Sequence, residues 1–242
     1  MSILLVACHQ ENVIRKNYYP NGKLKSKILL EDGESHYYSY YETENIESEG
    51  GIDKNLERQG AWKYFNPDGS VSSFGKYNDN LKVGEWKYQL KDTAISIQWE
   101  AYVNRPVKIN IPKGWLIVET LEAPNLFSAA DDSAHLHLGV NISRTEKTHE
   151  SLDSIVARGI QFFQEQYPAS KQETAEAIIN NVKARKVMLI AKMPDGKVMI
   201  SNRYYLVEGN YVYLLSLFSL QHDMSKYYNQ IAKEIALSFQ VI

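Results

Sequence analysis

An aromatic motif that recurs along the first hundred residues constrains the fold of this chain more than any other feature. The two clearest copies, 60–64 and 84–88, both read Gly-x-Trp-Lys-Tyr. Tyrosines recur at intervals of 22 to 24 residues, at Tyr18, Tyr40, Tyr64 and Tyr88. This interval is typical of one supersecondary unit copied along a solenoid. A polar turn follows the aromatic pair in each copy, so the sequence predicts short β-hairpins that stack on a shared aromatic core.

Turn signals divide this region into strands. Asn21-Gly22 is a strong two-residue hairpin signal, and the segment 66–69 (Asn-Pro-Asp-Gly) predicts the turn of a later copy. In an earlier copy Tyr38-Ser39-Tyr40 has the place of Trp62-Lys63-Tyr64. Gly50-Gly51 predicts a break between two strands.

The motif resembles the MORN repeat family, whose units contain Gly-x-Trp/Tyr-x-Tyr, a polar turn with Gly, and a second strand with Gly-x-Tyr. The matching residues are Gly60, Trp62, Tyr64, Asp68, Gly69, Gly75, Tyr77, Gly84, Trp86 and Tyr88. Two earlier positions depart from the pattern, because His36 stands where a Gly belongs and Glu44-Asn45 replaces the turn glycine. The resemblance covers about residues 17–98 and implies an antiparallel repeat sheet used for protein interaction or dimer contact. Proteins of this kind are often labelled antitoxin-like.

The charge distribution favours a protein partner over nucleic acid. The formal net charge is -2, and no concentrated basic face of the kind that phosphate binding needs is visible. Acidic residues gather in one window of the repeats, at Glu31, Asp32, Glu34, Glu42, Glu44, Glu47, Glu49, Asp53 and Glu57, where Lys54 is the one basic residue. This window is either a solvated repeat face or a docking surface for a basic partner.

The single cysteine, Cys8, lies at the end of an apolar run. One cysteine excludes an internal disulfide. Residues 3–8 (Ile-Leu-Leu-Val-Ala-Cys) resemble the lipobox of bacterial lipoproteins, in which the cysteine becomes the acylated first residue. The resemblance implies that 1–16 is a truncated lipoprotein signal and tether, with Cys8 lipidated on the periplasmic side of the cell envelope. No basic residue precedes the run, and the run is short for a signal, so an N-terminal strand in a cytoplasmic protein is the alternative.

The length of 242 residues suits two modules, and the second has a different pattern. The segment 148–167 predicts an amphipathic helix that Thr148 or Ser151 can cap. Alternating or apolar runs predict strands at 107–111, 116–120, 126–130, 134–142, near 176–179, 184–192, 197–207 and 211–220. A last helix, capped by Asp223 or Ser225, is predicted near the C-terminus.

This order resembles the PsbP/DcrB-like superfamily over about residues 105–242. The matching segments are 111–115 (Ile-Pro-Lys-Gly-Trp), 151–153 (Ser-Leu-Asp) and 235–239 (Ile-Ala-Leu-Ser-Phe). The predicted fold class is therefore α+β, an N-terminal antiparallel hairpin-repeat sheet followed by an antiparallel sheet packed with helices. The family is mostly non-enzymatic, and the resemblance assigns no functional residue.

Residues with catalytic or metal-binding chemistry are few. His135 and His137 have the spacing of two metal ligands on one strand face, but no third ligand is identified, and a structural histidine pair is the simpler interpretation. His222-Asp223 belongs to no motif, and Asp131-Asp132 is typical of a turn tip. No nucleophile elbow or phosphate-binding glycine loop is present. We expect no catalytic residue, cofactor or metal.

The sequence therefore predicts a non-catalytic, protein-binding envelope lipoprotein. The sharpest hypothesis is an immunity or antitoxin-type protein that neutralises a secreted toxin with a basic surface. The alternatives are an adaptor or chaperone that loads a secreted effector from the cytoplasm, and an accessory protein for envelope transport or assembly.

Overall fold

The computed structural model describes residues 12–90, 93–118, 123–131, 138–220 and 225–242. The chain separates into two compact units, unit 1 (Met1–Trp99) and unit 2 (Glu100–Ile242).

Unit 1 is a sheet of consecutive antiparallel strands, each paired with the next one along the chain. Its strands are β1 (Val13–Tyr18), β2 (Leu24–Glu31), β3 (Glu34–Tyr40), β4 (Ile46–Ile52), β5 (Arg58–Phe65), β6 (Val71–Asn78), β7 (Leu81–Leu90) and β8 (Thr93–Asn104). The last of these, β8, begins in unit 1 and ends in unit 2. The prediction of hairpins in this region is confirmed at the level of strands and turns.

The turns at one end of the strands of unit 1 share a geometry and are hydrogen-bonded to each other. The amide of Tyr19 donates to the carbonyl of Lys23, and equivalent bonds close the turns 41–45 and 66–70. The tightest position has a positive φ, 83° at Gly22, 71° at Glu44 and 85° at Gly69. The hydroxyl of Tyr19 donates to the carbonyl of Tyr40 at 2.7 Å, so one hairpin is bonded to the next. The turns predicted at 21–22 and 66–69 are confirmed.

The predicted break at Gly50-Gly51 is wrong, because both glycines lie inside β4. A Cβ atom on Gly50 would lie 2.4 Å from the ring of Trp62, and the Trp62 indole N–H donates to the carbonyl of Gly51 at 2.8 Å. The same arrangement recurs where the ring of Trp86 covers Gly75. These glycines make room for a tryptophan from the adjacent strand, and their sequence signature is easily mistaken for a turn.

The equivalence of Tyr38-Ser39-Tyr40 to the tryptophan motif is also wrong. Gly60 and Gly84 have φ of 65° and 64° and lie in β-bulges that turn the following tryptophan to the core face. No register shift interrupts the pairing of His36 with Leu29 or Gly51. Because strand side chains alternate between faces, Tyr37 rather than Tyr38 then reaches the core face, where it stacks on Trp62 at 5.9 Å.

Unit 2 contains a seven-stranded antiparallel sheet with the order β10-β11-β12-β16-β15-β14-β13. The elements that follow β8 are β9 (Val107–Pro112), β10 (Leu116–Val118), β11 (Asn125–Ala130), β12 (Leu138–Glu146), α1 (Leu152–Gln166), β13 (Lys171–Ile179), β14 (Val182–Lys192), β15 (Val198–Glu208), β16 (Tyr211–Leu220), α2 (Ser225–Ser238) and β17 (Gln240–Val241). The predicted meander over 184–220 is confirmed. Of the predicted strand 134–142, only 138–142 is described, as the start of β12.

The two faces of the seven-stranded sheet are covered differently. On one face α1 packs on β14 and β15 through a cluster that includes Val156, Phe163 and Leu189. Ser151 caps α1 as predicted, since its hydroxyl accepts from the amide of Ser154 at 3.1 Å. On the other face lie fully buried residues such as Ile142 and Leu215, and α2 contacts β9, β13 and β16.

The predicted α+β class is wrong. The described residues form mostly antiparallel strands in two sheets, with two helices, and the arrangement is not a helix-packed α+β fold. Strand β8 occupies Thr93–Asn104, between the two predicted modules, and β9 buries Val107, Ile109 and Ile111. Alternating apolar residues favour strands in both segments. Strands therefore make up most of unit 2, with α1 and α2 as the two helices among its described residues.

Candidate protein-binding surface

The face of unit 1 opposite the tryptophans carries a continuous line of side chains, here called the outer row. Its members are direct cross-strand partners from β1 to β8: Lys16, Lys27, Tyr38, Glu49, Lys63, Phe74, Lys87 and Ser96. Directly paired residues point to the same face of a sheet. Seven interstrand steps of about 4.8 Å make the outer row roughly 34 Å long.

Each aromatic side chain of the outer row, Tyr38 and Phe74, has at least one lysine as a direct cross-strand neighbour. The ammonium group of Lys27 lies 5.4 Å from the ring centre of Tyr38, and that of Lys87 lies 5.9 Å from Phe74. Phe74 is 38% exposed, which is high for a phenylalanine. Four lysines and one glutamate give this line a basic character. Cations beside partly exposed rings make this surface amphipathic.

The acidic residues predicted to form a docking surface do not lie on one face. Glu42 and Glu44 lie in the turn between β3 and β4, at one end of the strands, here called an edge of unit 1. At the opposite edge, in or beside the β2–β3 and β4–β5 turns, lie Glu31, Asp32, Glu34, Asp53 and Glu57. Glu47 and Glu49 lie on β4 itself. The outer row runs between these two acidic edges, so the surface has a basic centre and acidic borders.

At the edge that contains Glu42, carboxylates affect neighbouring tyrosines. Burial and the nearby carboxylates of Glu47 and Glu42 raise the pKa of Tyr19. Burial and Glu47 likewise raise the pKa of Tyr41. The Lys23 ammonium group donates to the carbonyl of Glu42 at 2.8 Å and lies 3.9 Å from the carboxylate of Glu44. Lys25 also lies here, 5.6 Å from the ring centre of Tyr19, so carboxylates and two lysines share this edge.

At the opposite edge two of the acidic residues have local structural partners. The carboxylate of Asp53 accepts from the amides of Asn55 and Glu57, at 2.8 and 2.9 Å, and so fixes its own turn. Glu31 accepts from the hydroxyl of Tyr38 at 3.1 Å. Burial, followed by this bond, raises the pKa of Tyr38 to about 12. The docking role of the nine acidic residues stays a prediction, and Asp53 has a structural role.

The predicted lipidation site, Cys8, lies outside the described residues, as do the residues considered for chemistry and not assigned a role: Asp132, His135, His137, His222 and Asp223. Within the described ranges, no group of three or more His, Cys, Asp or Glu residues is arranged to hold a metal ion. In those ranges no helix has both the length and the apolar character needed to cross a membrane.

Unit 2 contains a small cleft between the β13–β14 turn and the C-terminal strand. Its volume is about 230 Å³, and its lining includes Ile179, Leu206, Phe239 and Gln240. Pockets for drug-sized ligands usually measure about 300–1,000 Å³. This cleft is therefore smaller than a typical ligand site.

The outer row was missed by sequence reasoning. Its lysines are visible in the sequence, but they are 24 to 36 residues apart at Lys27, Lys63 and Lys87. They align only through the register of the strands, which includes bulges at Gly60 and Gly84. The glycines at the bulges were the one available signal, because they allow the register of the strands to be assigned.

No protein-family model matches the chain, and no curated protein matches it. Solved structures with some likeness include the cyanobacterial PsbP protein CyanoP of Synechocystis, at 14% identity over 64% of this chain and 98% of that chain, with a TM-score of 0.46. The Ran-binding protein Mog1p of Saccharomyces cerevisiae is 10% identical over 60% and 96% of the two chains, with a TM-score of 0.44. LpqN of Mycobacterium tuberculosis, involved in cell envelope biogenesis, is 11% identical over 60% and 91%, with a TM-score of 0.42. At these TM-scores the likenesses support no conclusion about the family or activity of this chain.

Proposed function

We propose that this protein acts by binding another protein through unit 1 and catalyses no reaction. The observation that supports this proposal is the outer row, which presents four lysines, one glutamate and two aromatic side chains along eight strands. A line roughly 34 Å long matches the extent of a macromolecular interface better than that of a small ligand. Its exposed rings provide apolar contact area, and its charges provide orientation.

The narrower form of the proposal is an immunity or antitoxin-type envelope lipoprotein that neutralises a secreted toxin. In this form the acidic edges contact a basic surface of the toxin, and lipidation of Cys8 holds the protein on the periplasmic side of the envelope. The basic centre between the edges disfavours a partner whose positive charges are placed differently, since like charges repel at an interface.

The experiment is quantitative co-purification from cell envelopes with three charge-reversed variants. The edge variant is Glu42→Lys with Glu44→Lys, the row variant is Lys63→Glu with Lys87→Glu, and the control is Lys171→Glu with Glu173→Lys on the exposed strand β13 of unit 2. We expect one protein to be captured by the wild type and the control, and to be depleted at least tenfold with the edge and row variants. Equal capture by all forms would contradict binding through unit 1.

Two further measurements separate the alternatives. A toxin supports the narrower form if this protein abolishes its activity in a purified assay. Incorporation of a palmitate analogue that is lost in Cys8→Ala supports the lipoprotein assignment. Absence of labelling together with capture of a secreted effector would favour the cytoplasmic adaptor, and capture of envelope transport or assembly components would favour the accessory protein.

A further inference from the structure

Four strands are the outermost strands of the two sheets and have a single strand neighbour each among the described residues: β1, β17, β10 and β13. We call them edge strands. An edge strand leaves backbone N–H and C=O groups unpaired, and folded proteins protect such strands by making them short or by interrupting them with a bulge. Strand β10 has three residues, β17 has two, and the pairing of β1 with β2 shifts register twice. Strand β13 has none of these features.

Strand β13 is regular over its nine residues, Lys171–Ile179. Each of them pairs with β14 in one uninterrupted register, and the strand contains neither proline nor glycine. The residues 171–176 are exposed, and Ile178 is 66% exposed although it is apolar. Among the edge strands within the described ranges, β13 is therefore the one best suited to pairing with a further strand.

The turn after β13 determines which of its backbone groups point away from β14. Asn180 and Asn181 have φ of 44° and 67°, and they join β13 to β14 as a two-residue hairpin turn. In such a hairpin the two flanking residues, here Ile179 and Val182, form a hydrogen-bonded pair, and bonded pairs recur at every second residue. The residues whose N–H and C=O groups point outward are therefore Gln172, Thr174, Glu176 and Ile178.

A second copy of the same strand matches these outward groups. When two β13 strands pair antiparallel about a two-fold axis at Ala175, Thr174 of one copy lies opposite Glu176 of the other, and Gln172 lies opposite Ile178. Each of these pairs joins two residues whose backbone groups point outward, so each is a hydrogen-bonded pair. This register pairs the whole strand and satisfies every outward-pointing group of both copies.

The charges of β13 are compatible with this register. Lys171, Glu173 and Glu176 lie opposite Ile179, Ala177 and Thr174 of the other copy, so no two like charges face each other directly. The carboxylate of Glu176 also has a counter-ion in its own chain, the guanidinium of Arg185 at 2.6 Å. The charges that would oppose an arbitrary strand at this edge therefore do not oppose a second copy.

We propose that β13 is a dimer interface, through which two copies of this chain join their seven-stranded sheets into one continuous sheet. The interface is on unit 2, so it does not depend on the protein-binding surface proposed on unit 1. One pair of strands is a small interface, and we expect a weak dimer with a Kd of roughly 10–100 µM.

The test measures the mass of the full chain by sedimentation from about 1 to 500 µM, with a reductant present to prevent a disulfide through Cys8. We expect the mass to rise from one chain to two. Thr174→Pro should weaken the dimer at least tenfold, because proline removes an outward N–H and leaves the bonds to β14 intact. The control, Lys171→Glu with Glu173→Lys, keeps every backbone group and should change the Kd less than threefold. Circular dichroism confirms that the variants are folded.

Variants at the two-fold axis test the register without proline. Ala175→Glu and Ala175→Lys each place two like charges directly opposite, and each should weaken its own dimer about threefold to fivefold. An equal mixture of the two variants should form mixed dimers at least as tightly as the wild type, because opposite charges then face each other. Failure of the mixture to recover the affinity would overturn this register.

The other outcomes are equally specific. A single-chain mass at every concentration, or a dimer that Thr174→Pro leaves unchanged, would overturn the proposal. If the wild type stays a single chain and Thr174→Pro loses a protein captured from cell envelopes, the edge takes a strand of another protein and self-pairing is wrong. The row variant, Lys63→Glu with Lys87→Glu, should leave the dimer unchanged, so failure of this proposal is distinguishable from failure of the proposed function.

Discussion

Unit 1 and unit 2 are both antiparallel β-structures, but they build their cores in different ways. In unit 1 one face of the sheet is closed by rings, and Trp62, Trp86 and Trp99 all donate from the indole N–H. Their acceptors are no more than 11 residues away in the sequence. In unit 2 the core is mainly aliphatic and joins distant segments, as in the bond from the amide of Asn110 to the hydroxyl of Ser238.

From this difference we expect the two units to respond differently to substitutions in their cores. A core made of neighbours along the chain resembles a repeat array, in which each hairpin depends mainly on the next one. A core made of distant segments depends on all of them together. The following variants test that contrast, from the largest expected effect to the smallest.

Trp86→Ala should be the most damaging change in unit 1. Trp86 is fully buried and contacts Tyr77 and Tyr88, so its loss should lower the free energy of unfolding by about 3–5 kcal/mol. Hydrogen exchange should show lost protection mainly in β5 to β8. The matched variant Phe127→Ala in unit 2 should cost a similar amount but remove protection throughout unit 2. Uniform loss across both units in both variants would contradict the contrast.

Gly75→Ala should cost more than Gly139→Ala, although both positions face a ring. The added Cβ would lie 2.4 Å from Trp86 and 2.2 Å from Phe218, respectively. Trp86 is enclosed, so we expect a loss of about 1–3 kcal/mol in the free energy of unfolding for Gly75→Ala. Phe218 is partly exposed and can rotate away, which makes Gly139→Ala milder. Denaturant unfolding measures both, and the reverse order would mean that the tryptophan layer is more adaptable than its burial indicates.

Glu44→Gly should stabilise the protein. Glu44 has φ of 71° where the equivalent turns have Gly22 and Gly69, and the left-handed conformation is costly for a residue with a Cβ atom. We expect a gain of about 1 kcal/mol in the free energy of unfolding. Glu42→Gly is the control in the same turn, since it removes a similar charge without relieving a positive φ. A gain in both variants would point to charge rather than backbone conformation.

Deprotonation of Tyr38 should lower the stability of unit 1 at alkaline pH. Because the pKa of Tyr38 is raised to about 12, its contribution to stability is complete below pH 10 and is lost as the pH rises toward 12. The difference in ultraviolet titration between the wild type and Tyr38→Phe should give this pKa. A value near 10 would show that neither burial nor the bond to Glu31 affects the phenol.

Asp153 should give the opposite pH dependence in unit 2. Its hydrogen bond and attraction to Arg185 lower the pKa of the carboxyl group, so its contribution is present above about pH 4 and is lost as the pH falls further. Asp153→Asn should flatten this part of the stability profile, and the effect should be the smallest of the set because the pair is exposed. If Asp153→Asn left the stability profile below about pH 4 unchanged, a contribution from the pair would be excluded.

The sequence by itself determined those features that depend on neighbours along the chain. The turns 21–22 and 66–69, the cap at Ser151 and the strands β14 to β16 follow from local turn chemistry and side-chain alternation. A local pattern gives the wrong prediction where a single bulge residue decides which side chains of a strand face the core. His36 stands where the repeat has a bulge glycine, and no bulge forms there. Tyr37 therefore faces the core and Tyr38 the outer face, the reverse of what the motif predicts.

The tertiary structure alone decided the fold class and the outer row. The outer row exists only through a register that spans eight strands. Strand pairing and side-chain packing are set by the sum of many distant contacts, each of which is weak alone. A pattern read over one turn or one strand contains no record of that sum. It therefore predicted the hairpins well, but it placed the acidic residues on one surface when the fold divides them between two edges and strand β4.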